Sequence, residues 1–280
     1  MEAQVKPLER ANPDSPEREQ SDGDLLAAVT TRYRRAYSPV LENGAFDALR
    51  SVLTSVSHAL SDLLMPVCEY PRLIQKSLPG NSPAQELSER ITLASDRLCE
   101  INEHLIRLCD GNEDTPMNVE MGTLIQGVLS DLRHQGEIPP AIHVSVRTDE
   151  RPAWLHGPQD ALYLAARDMC LNAIASMAGG GTLTVKIGSV SVRPGDAAHL
   201  LGIPARNHLG VRFQDDGPGI DPACRETLFD PFVSTTPGEG FGLGLSSVYR
   251  TLRHFGGEIL YKPDDGSGAD FLLLFPLETP

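Results

Sequence analysis

Residues 213–249 read FQDDGPGIDPACRETLFDPFVSTTPGEGFGLGLSSVY, and this stretch decides the fold and function that the sequence predicts. It contains two glycine clusters, DDGPG and GEGFGLG, and the second runs directly into a helix-like segment at 243–255. Glycine lets backbone N–H groups approach a ligand closely. Free N–H groups at the start of a helix attract anions. The stretch therefore predicts a nucleotide pocket, with Asp215, Asp216 and the first glycines on one side and residues 240–244 on the other.

The composition restricts the function classes that remain open. The chain has 280 residues and a net charge of −14, which argues against a nucleic-acid partner because such proteins carry a basic stripe. No apolar run reaches the roughly 20 residues of a membrane-spanning helix, and the acidic N-terminus does not resemble a signal peptide. We therefore expect a cytoplasmic protein without membrane insertion. The five cysteines are scattered and form no CxxC pair, which predicts reduced thiols.

The first half of the chain predicts a tail followed by a helical hairpin. Residues 1–44 are expected to form a flexible tail with a short helix. Apolar residues then recur at three- and four-residue spacing from 45 to 67 and from 87 to 108, which predicts two amphipathic helices. Pro66 and Pro71 should bend the first helix or disturb its end, and Ser82-Pro83 should start the second. A lone hairpin cannot bury both apolar stripes, so residues 45–113 are expected to form a homodimeric four-helix bundle.

The second half, residues 114–280, alternates between segments with the apolar period of a helix and segments with that of a strand. Helices are predicted at 119–134, 159–177 and 243–255. Strands are predicted at 142–146, 153–156, 182–191 and 209–214, and in a terminal hairpin of 258–261 and 270–275. Mixed strands with interspersed helices predict an α/β sandwich with the helices on one face of the sheet. The whole chain is therefore expected to be α+β, a helical hairpin followed by an α/β sandwich.

Two sets of polar residues in this second half predict binding sites, one for a ligand amine and one for a metal ion. Asp215 follows a buried strand and precedes GxG, so its carboxylate could accept a hydrogen bond from an exocyclic amine such as that of adenine; a type I turn with an Asx cap is the alternative. Asp168 and Asn172 share one face of a helix and offer the oxygen ligands that Mg²⁺ prefers. The polar edge of an amphipathic helix would explain this pair alone, but the glycine clusters favour the metal site.

Four segments of this half resemble the ATP-binding catalytic domain of sensor histidine kinases, which shares a superfamily with type II topoisomerase and Hsp90 ATPases. LYLAARDMCLNAIASM (162–177) resembles the family's N box, DDGPGI (215–220) its G1 box, LFDPFVSTT (228–236) its F box and GFGLGL (240–245) its G2 box. The boxes occur in the family's order. The sequence has no GxxxxGK[ST] motif, which argues against a P-loop enzyme.

The resemblance implies ATP and Mg²⁺ as cofactors and assigns roles to particular residues. Asn172, with Asp168, would hold Mg²⁺, and Asp215 would bind the adenine amino group. Two glycines would shape the pocket floor and the start of a mobile lid: Gly217 and Gly219. Two aromatic residues would anchor that lid: Phe229 and Phe232. Three glycines would wrap the phosphates: Gly240, Gly242 and Gly244. Further residues of the boxes would surround the nucleotide: Ile220, Thr236, Phe241, Leu243 and Leu245.

The hairpin resembles the dimerisation and phosphotransfer domain of the same family. SVSHALSDLLMPVCEYPRLI (55–74) is similar to its H box, which would make His58 the phosphoacceptor. A neutral imidazole nitrogen can attack the γ-phosphorus of ATP. A solvated or bundle-packed side chain is the alternative for a lone helical histidine.

The sequence departs from the family pattern at several positions. Ala59 stands where most members have an acid directly after the histidine, and Asp62, one turn further on, would replace it by polarising His58 or by positioning water for phosphatase activity. Asp168 opens the N box, where Asn, His or Glu is usual. Thr236 stands where a phosphate-contacting lysine is frequent.

Taken together, the sequence predicts a dimeric histidine kinase that binds Mg-ATP, phosphorylates His58 and passes the phosphoryl group to a response regulator receiver domain. Residues 1–44 are too short for a sensor domain, so we expect input from an upstream sensor protein or from the tail. Two alternatives remain open. One is a degenerate kinase that acts as a phosphotransfer protein, phosphatase or scaffold with a vestigial ATP site. The other is an ATPase or serine kinase of the same superfamily without a phosphohistidine.

Overall fold

The computed structural model describes residues 9–10, 45–77, 82–109, 116–149, 152–195, 203–230, 233, 242–262 and 268–277. The chain divides into two compact units, one of residues 38–112 and one of residues 1–37 with 113–280. No helix in the described ranges is long and apolar enough to span a membrane. Apart from residues 9–10, the predicted tail and short helix of 1–44 lie outside the described residues.

The helical unit is a hairpin of α1 (Ala45–Ser77) and α2 (Pro83–Cys109). As predicted, α2 starts at Ser82-Pro83, where the Ser82 hydroxyl accepts a hydrogen bond from the N–H of Gln85 at 3.2 Å. In contrast to the expectation of a disturbed end, α1 continues through both prolines. Pro71 has no N–H to donate to the Val67 carbonyl. The Ser95 hydroxyl of α2 lies 3.1 Å from that carbonyl oxygen and 2.7 Å from the carbonyl oxygen of Ile91 in its own helix, so its single hydrogen is shared between the two acceptors.

Each helix of the hairpin carries two parallel stripes at heptad spacing. The stripe that faces the other helix is made of small residues, and its buried members are Ser57, Cys68, Pro71, Ser88, Ser95 and Asn102. The neighbouring stripe is apolar and exposed, and its members are Val56, Leu60, Leu63, Val67, Tyr70, Ile74, Leu87, Ile91 and Leu98. We call this second set the apolar stripe. The hairpin therefore holds itself together through small and polar contacts and leaves its large apolar residues uncovered.

The α/β unit contains eight strands and three α-helices within its described ranges. The strands are β1 (Glu9–Arg10), β2 (Met117–Glu120), β3 (Ile142–Thr148), β4 (Trp154–Gly157), β5 (Gly181–Ser191), β6 (Asn207–Asp215), β7 (Glu258–Lys262) and β8 (Asp270–Pro276). The helices are α3 (Met121–His134), α4 (Gln159–Ser176) and α5 (Gly244–His254). Six strands form one sheet in the order β1-β3-β5-β6-β8-β7, while β2 and β4 form a separate antiparallel pair. The large sheet is mixed, with β1, β3 and β5 parallel and the other neighbours antiparallel.

The main core lies between the three helices and one face of the large sheet. Alternate residues of β8 show this arrangement, because Phe271, Leu273 and Phe275 join the main core. Leu272 and Leu274 point to the other face and join a smaller cluster. Its remaining members come from β5, β7 and the loop after β5: Val190, Leu260, Val192 and Ile203. The predicted α/β sandwich with helices on one face is confirmed.

The helix α3 begins two residues later than the sequence predicted. The sequence pattern predicted a helix from 119, but Val119 belongs to β2, where it pairs with Leu155 of β4. The helix starts at Met121 because the Glu120 carboxylate accepts hydrogen bonds from the N–H groups of Gly122 and Thr123, at 3.1 and 2.6 Å. This satisfies two of the free donors of the first turn.

The cap at Glu120 makes a testable contribution to stability. Burial acts to raise the pKa of Glu120, but hydrogen bonds from Thr123, Gly122 and Ala153 outweigh it and lower the pKa. The stabilisation is therefore present above the unfolded-state pKa and is lost as pH falls through the folded-state pKa. We expect Glu120→Ala to lower the free energy of unfolding by about 1 kcal/mol at pH 7 in urea titrations. Glu137→Ala, at an exposed position, is the matched control, and an equal loss in both variants would contradict the cap.

Candidate functional site

The predicted site is arranged along one face of α4. Asp168, Asn172 and Ser176 follow one another at four-residue intervals, so they share a face of this helix. The other faces of α4 hold it in the main core through residues such as Leu162, Met169 and Cys170. Burial raises the pKa of the Cys170 thiol to about 12, which is consistent with the predicted reduced, packing role of the cysteines.

Asp215 stands at one end of this face, as the last residue of β6. Its Oδ1 accepts hydrogen bonds from the N–H of Gly217 at 3.0 Å and the N–H of Ala269 at 3.1 Å. The Ser176 hydroxyl is a weaker third donor at 3.4 Å, because it shares its hydrogen with the Ala173 carbonyl at 2.8 Å. None of these three donors uses Oδ2. The carboxylate is therefore oriented by one oxygen and presents the other, which is the arrangement needed to accept a hydrogen bond from a ligand amine.

The electrostatics of Asp215 are unfavourable for a purely structural carboxylate. Burial raises its pKa above the ordinary value of an aspartate, and the neighbouring charge of Asp216 acts in the same direction. The hydrogen bonds from Gly217, Ala269 and Ser176 offset this only in part. The Asp216 side chain has a different contact. Its Oδ1 accepts a hydrogen bond from the N–H of Thr182 at the start of β5, at 2.7 Å.

Glycines let three segments of backbone meet at Asp215. A Cβ at Gly217 would lie 2.8 Å from the Ser176 hydroxyl oxygen, and a Cβ at Gly219 would lie 2.9 Å from the carbonyl oxygen of Gly268. Gly268 has a φ of 95°, and a Cβ there would overlap the carbonyl oxygen of Asp215. Sequence analysis missed Gly268 and Ser176. For the segment between 261 and 270 the sequence predicts only the turn of the terminal hairpin.

The start of α5 lies at the other end of the α4 face. A Cβ at Gly244 would lie 3.4 and 3.6 Å from Nδ2 and Oδ1 of Asn172, and 3.8 Å from Cβ of Asp168. The backbone that opens α5 therefore contacts the turn of α4 that carries both predicted metal ligands. Gly242, just before it, has a φ of 66°, and a Cβ there would overlap the backbone of Val233. Free N–H groups at such a helix start favour phosphate oxygens.

The donors at this end fit a magnesium–nucleotide complex better than a metal held by protein alone. Asn172 is exposed, whereas Asp168 is only 5% exposed. Within the described residues, no group of three or more His, Cys, Asp or Glu side chains could hold a metal ion. Mg²⁺ usually takes one or two protein oxygens and completes its shell with water and substrate phosphates.

The remaining predicted site residues have different surroundings. Leu243 is buried, while Ile220 and Leu245 pack against the main core. Phe229 is buried, and its ring centroid lies 6.0 Å from that of Tyr249 in α5, which ties the start of the predicted lid to that helix. Four predicted residues lie outside the described ranges: Phe232, Thr236, Gly240 and Phe241. His58 and Asp62 belong to α1 of the other unit, one helical turn apart.

Because the pKa of Asp215 is raised, we expect a neutral substitution there to change thermal stability and ATP affinity in opposite directions. Because the folded-state pKa lies above the unfolded one, the carboxylate destabilises the fold once pH exceeds the folded-state pKa. At pH 7, Asp215→Asn should therefore leave the midpoint of thermal unfolding unchanged or raise it. The new amide N–H₂ would face the adenine amine, so we expect ATP affinity to fall about 10- to 100-fold.

Calorimetric titration with ATP and thermal unfolding measure these two effects. Asp221→Asn is the matched control, because Asp221 accepts the N–H of Ala223 in a turn that asparagine can also form. Unchanged ATP affinity in Asp215→Asn would show that this carboxylate does not contact the base.

Comparison with known proteins agrees with this geometry. The family described as histidine kinase-, DNA gyrase B- and HSP90-like ATPase matches residues 157–279. The chain is 24% identical over 250 residues to the sensor histidine kinase ZraS of Salmonella typhi, covering 88% of this chain and 50% of that protein. It is 21% identical over 255 residues to the sensor kinase CckA of Brucella abortus, covering 90% of this chain and 27% of that protein.

A solved structure, full-length ShkA in complex with AMPPNP, has the same fold, with a TM-score of 0.62 and 19% identity over 82% of this chain and 46% of that one. The chain spans half or less of the length of the two curated relatives. Residues 157–279 therefore match the ATPase domain of the histidine kinase, DNA gyrase B and HSP90 type, and the two curated relatives to which the chain is similar are sensor kinases.

Proposed function

We propose that this chain binds Mg-ATP, phosphorylates His58 and transfers the phosphoryl group to an aspartate of a response regulator receiver domain. The observation that carries the proposal is that a single helix, α4, joins both ends of a nucleotide site. Ser176 contacts Asp215 at the adenine end, and Asn172 lies beside Gly244 at the phosphate end. Because an α-helix rises 1.5 Å per residue, the face from 168 to 176 extends about 12 Å.

Different residues of the site bind different parts of ATP in this proposal. Asp215 accepts the adenine amine through Oδ2, because Oδ1 is occupied by its three donors. The first N–H groups of α5 receive phosphate oxygens. Asn172 and Asp168 would hold Mg²⁺, and the bound ion would supply positive charge beside the transferred phosphoryl group. Gly240 and residues of the lid, including Phe232, Thr236 and Phe241, complete the phosphate side in this proposal.

The chemical step transfers the γ-phosphoryl group to the imidazole of His58. The neutral ring nitrogen forms a bond to the γ-phosphorus, the bond from that phosphorus to the β,γ-bridging oxygen breaks, and ADP leaves. Asp62 takes the role of the acid that is replaced by Ala59. It polarises the imidazole, or it positions water when the phosphohistidine or phosphoaspartate is hydrolysed. The phosphoryl group then passes from His58 to a receiver-domain carboxylate.

A degenerate kinase with a vestigial or regulatory ATP site is the second candidate. Ala59 and Thr236 favour it, because each removes a group that assists transfer in related kinases. The hydrogen bonds at Asp215 argue against it, since a vestigial pocket has no need for a partly buried carboxylate whose Oδ1 is held by two backbone N–H groups. An ATPase without a phosphohistidine is less well supported, because the hairpin that carries His58 would then have no role.

We further propose that the hairpin pairs with a second copy of the chain and that the protein acts in the cytoplasm under an upstream sensor protein. The apolar stripe supports the pairing. Leu63 is 69% exposed and Tyr70 is 62% exposed, although both lie at heptad spacing with the other members. Two hairpins that face each other through these stripes would bury them in a four-helix bundle.

Labelling with γ-³²P-ATP and Mg²⁺ tests the kinase. We expect wild type to acquire base-stable, acid-labile label and His58→Ala to acquire none, because a phosphorylated imidazole nitrogen is hydrolysed in acid. His143→Ala, which changes an exposed histidine of β3, is the control and should label normally. A wild-type chain that binds ATP but takes no label would support the degenerate kinase, and failure to bind ATP would support a vestigial site.

Substitution of the apolar stripe tests the homodimer. Leu63→Glu would place two charges in the interface, so we expect the dissociation constant of the dimer to rise about 100-fold or more in sedimentation equilibrium. Met65→Glu is the matched control, because Met65 is 67% exposed on the same helix but lies outside the stripe. Equal dissociation of both variants, or a monomeric wild type, would contradict this interface.

A further inference from the structure

Three polar residues of α2 face α1 at intervals of seven residues. The Ser88 hydroxyl donates to the carbonyl of Pro71 at 2.8 Å. The Ser95 hydroxyl shares its hydrogen between the carbonyl of Val67 in α1, at 3.1 Å, and the carbonyl of Ile91 in its own helix, at 2.7 Å. The third, Asn102, donates from Nδ2 to the carbonyl of Ser57 at 2.9 Å and to the hydroxyl of Ser61 at 2.8 Å. The hairpin therefore contains a polar seam that runs along the whole described contact.

Asn102 differs from the two serines in the part of α1 that it binds. It binds α1 at two points one turn apart, and Ser61 also donates to the Ser57 carbonyl, at 3.1 Å. The turn between those points carries His58, the proposed phosphoacceptor. Ser88 and Ser95 contact parts of α1 that lie well beyond this turn.

Stability alone does not explain an asparagine at this position. Asn102 is 4% exposed and Ser57 is 1% exposed. Two of their polar atoms, Asn102 Oδ1 and Ser57 Oγ, are buried and have no hydrogen-bond partner within the described residues. Such groups are uncommon in folded proteins and destabilise them, and an apolar side chain at 102 would remove one of the two.

A buried asparagine at a heptad position has a known physical effect, which is to select one alignment of helices at a cost in stability. The two serines do not select an alignment strongly, because a hydroxyl can donate to any carbonyl along α1. Asn102 needs a carbonyl and a hydroxyl one turn apart, and Ser57 with Ser61 supplies them.

We propose that Asn102 is a positioning residue for the phosphorylation of His58. Its two hydrogen bonds fix the register and rotation of the α1 turn that contains the histidine. This inference rests on the proposed kinase function. A small displacement of a reacting group is enough to slow a transfer that depends on alignment.

Asn102→Leu tests the inference, because leucine keeps the size of the side chain but cannot donate. We expect the midpoint of thermal unfolding to stay the same or rise, while the rate of labelling of His58 at saturating ATP falls about 10- to 100-fold. The KM for ATP should not change, because the loss concerns the acceptor and not the nucleotide. Ser88→Ala is the matched control. It removes a seam hydrogen bond far from His58 and should keep the wild-type rate even if it lowers the unfolding midpoint.

The outcomes separate this inference from the kinase proposal. If wild type is labelled and Asn102→Leu is labelled equally fast, the positioning role is wrong and the kinase function stands. If Ser88→Ala slows labelling as much as Asn102→Leu, the seam is merely structural and the inference also fails. If wild type takes no label, the kinase proposal falls and the inference falls with it. Should Asn102→Leu not fold, Asn102→Ser, which resembles the other seam positions, replaces it, and a wild-type rate in that variant overturns the inference.

Discussion

The hydrogen bonds to Oδ1 of Asp215 are the interaction on which the candidate nucleotide site depends. They bring together three segments that are distant in the chain: the end of α4 through Ser176, the glycine turn through Gly217 and the start of β8 through Ala269. The backbone N–H of Asp215 also donates to the carbonyl of Ala269, at 3.0 Å. Both the backbone and the side chain of this residue are therefore held, and Oδ2 has a defined direction.

Polar contacts on the opposite face of the sheet also hold β6 against β8. Arg212 of β6 donates to the carboxylate of Asp270 in β8 through Nε, at 2.8 Å, and both side chains are buried. Gln214 donates to the same carboxylate at 3.3 Å. Gln214 directly precedes Asp215 in β6, and Asp270 directly follows Ala269. A buried ion pair contributes little net stability, but breaking it is costly, so it opposes any slip of β6 against β8.

The hairpin uses its two stripes for different purposes. Small side chains in the polar seam let α1 and α2 approach, and hydroxyls replace the hydrogen bond that Pro71 cannot make. The large apolar residues lie one position away and remain exposed. A helix pair built in this way holds its own alignment through directional hydrogen bonds and leaves its large apolar side chains exposed.

Much of the fold and part of the site could be predicted from residue patterns. Apolar periodicity located α1, α2 and α4 because each is long enough for the repeat to be recognised. The glycine clusters pointed to the nucleotide pocket, since so many glycines in one stretch serve backbone approach better than packing. Periodicity failed at β2, because four residues are too few to distinguish a strand from the first turn of a helix. It also gave no sign of the two-residue strand β1, which exists only through its pairing with β3.

The sequence by itself determined the types of most elements and pointed to the residues of the candidate site, because these follow from local spacing and side-chain chemistry. Only the tertiary structure decided which oxygen of Asp215 accepts the three hydrogen bonds, that Ser176 and Gly268 meet there, and that Asn102 binds the turn of α1 that contains His58. Each of these is a contact between residues far apart in the chain. The physical reason is that hydrogen-bond geometry depends on how separate elements pack, and local sequence does not specify that packing.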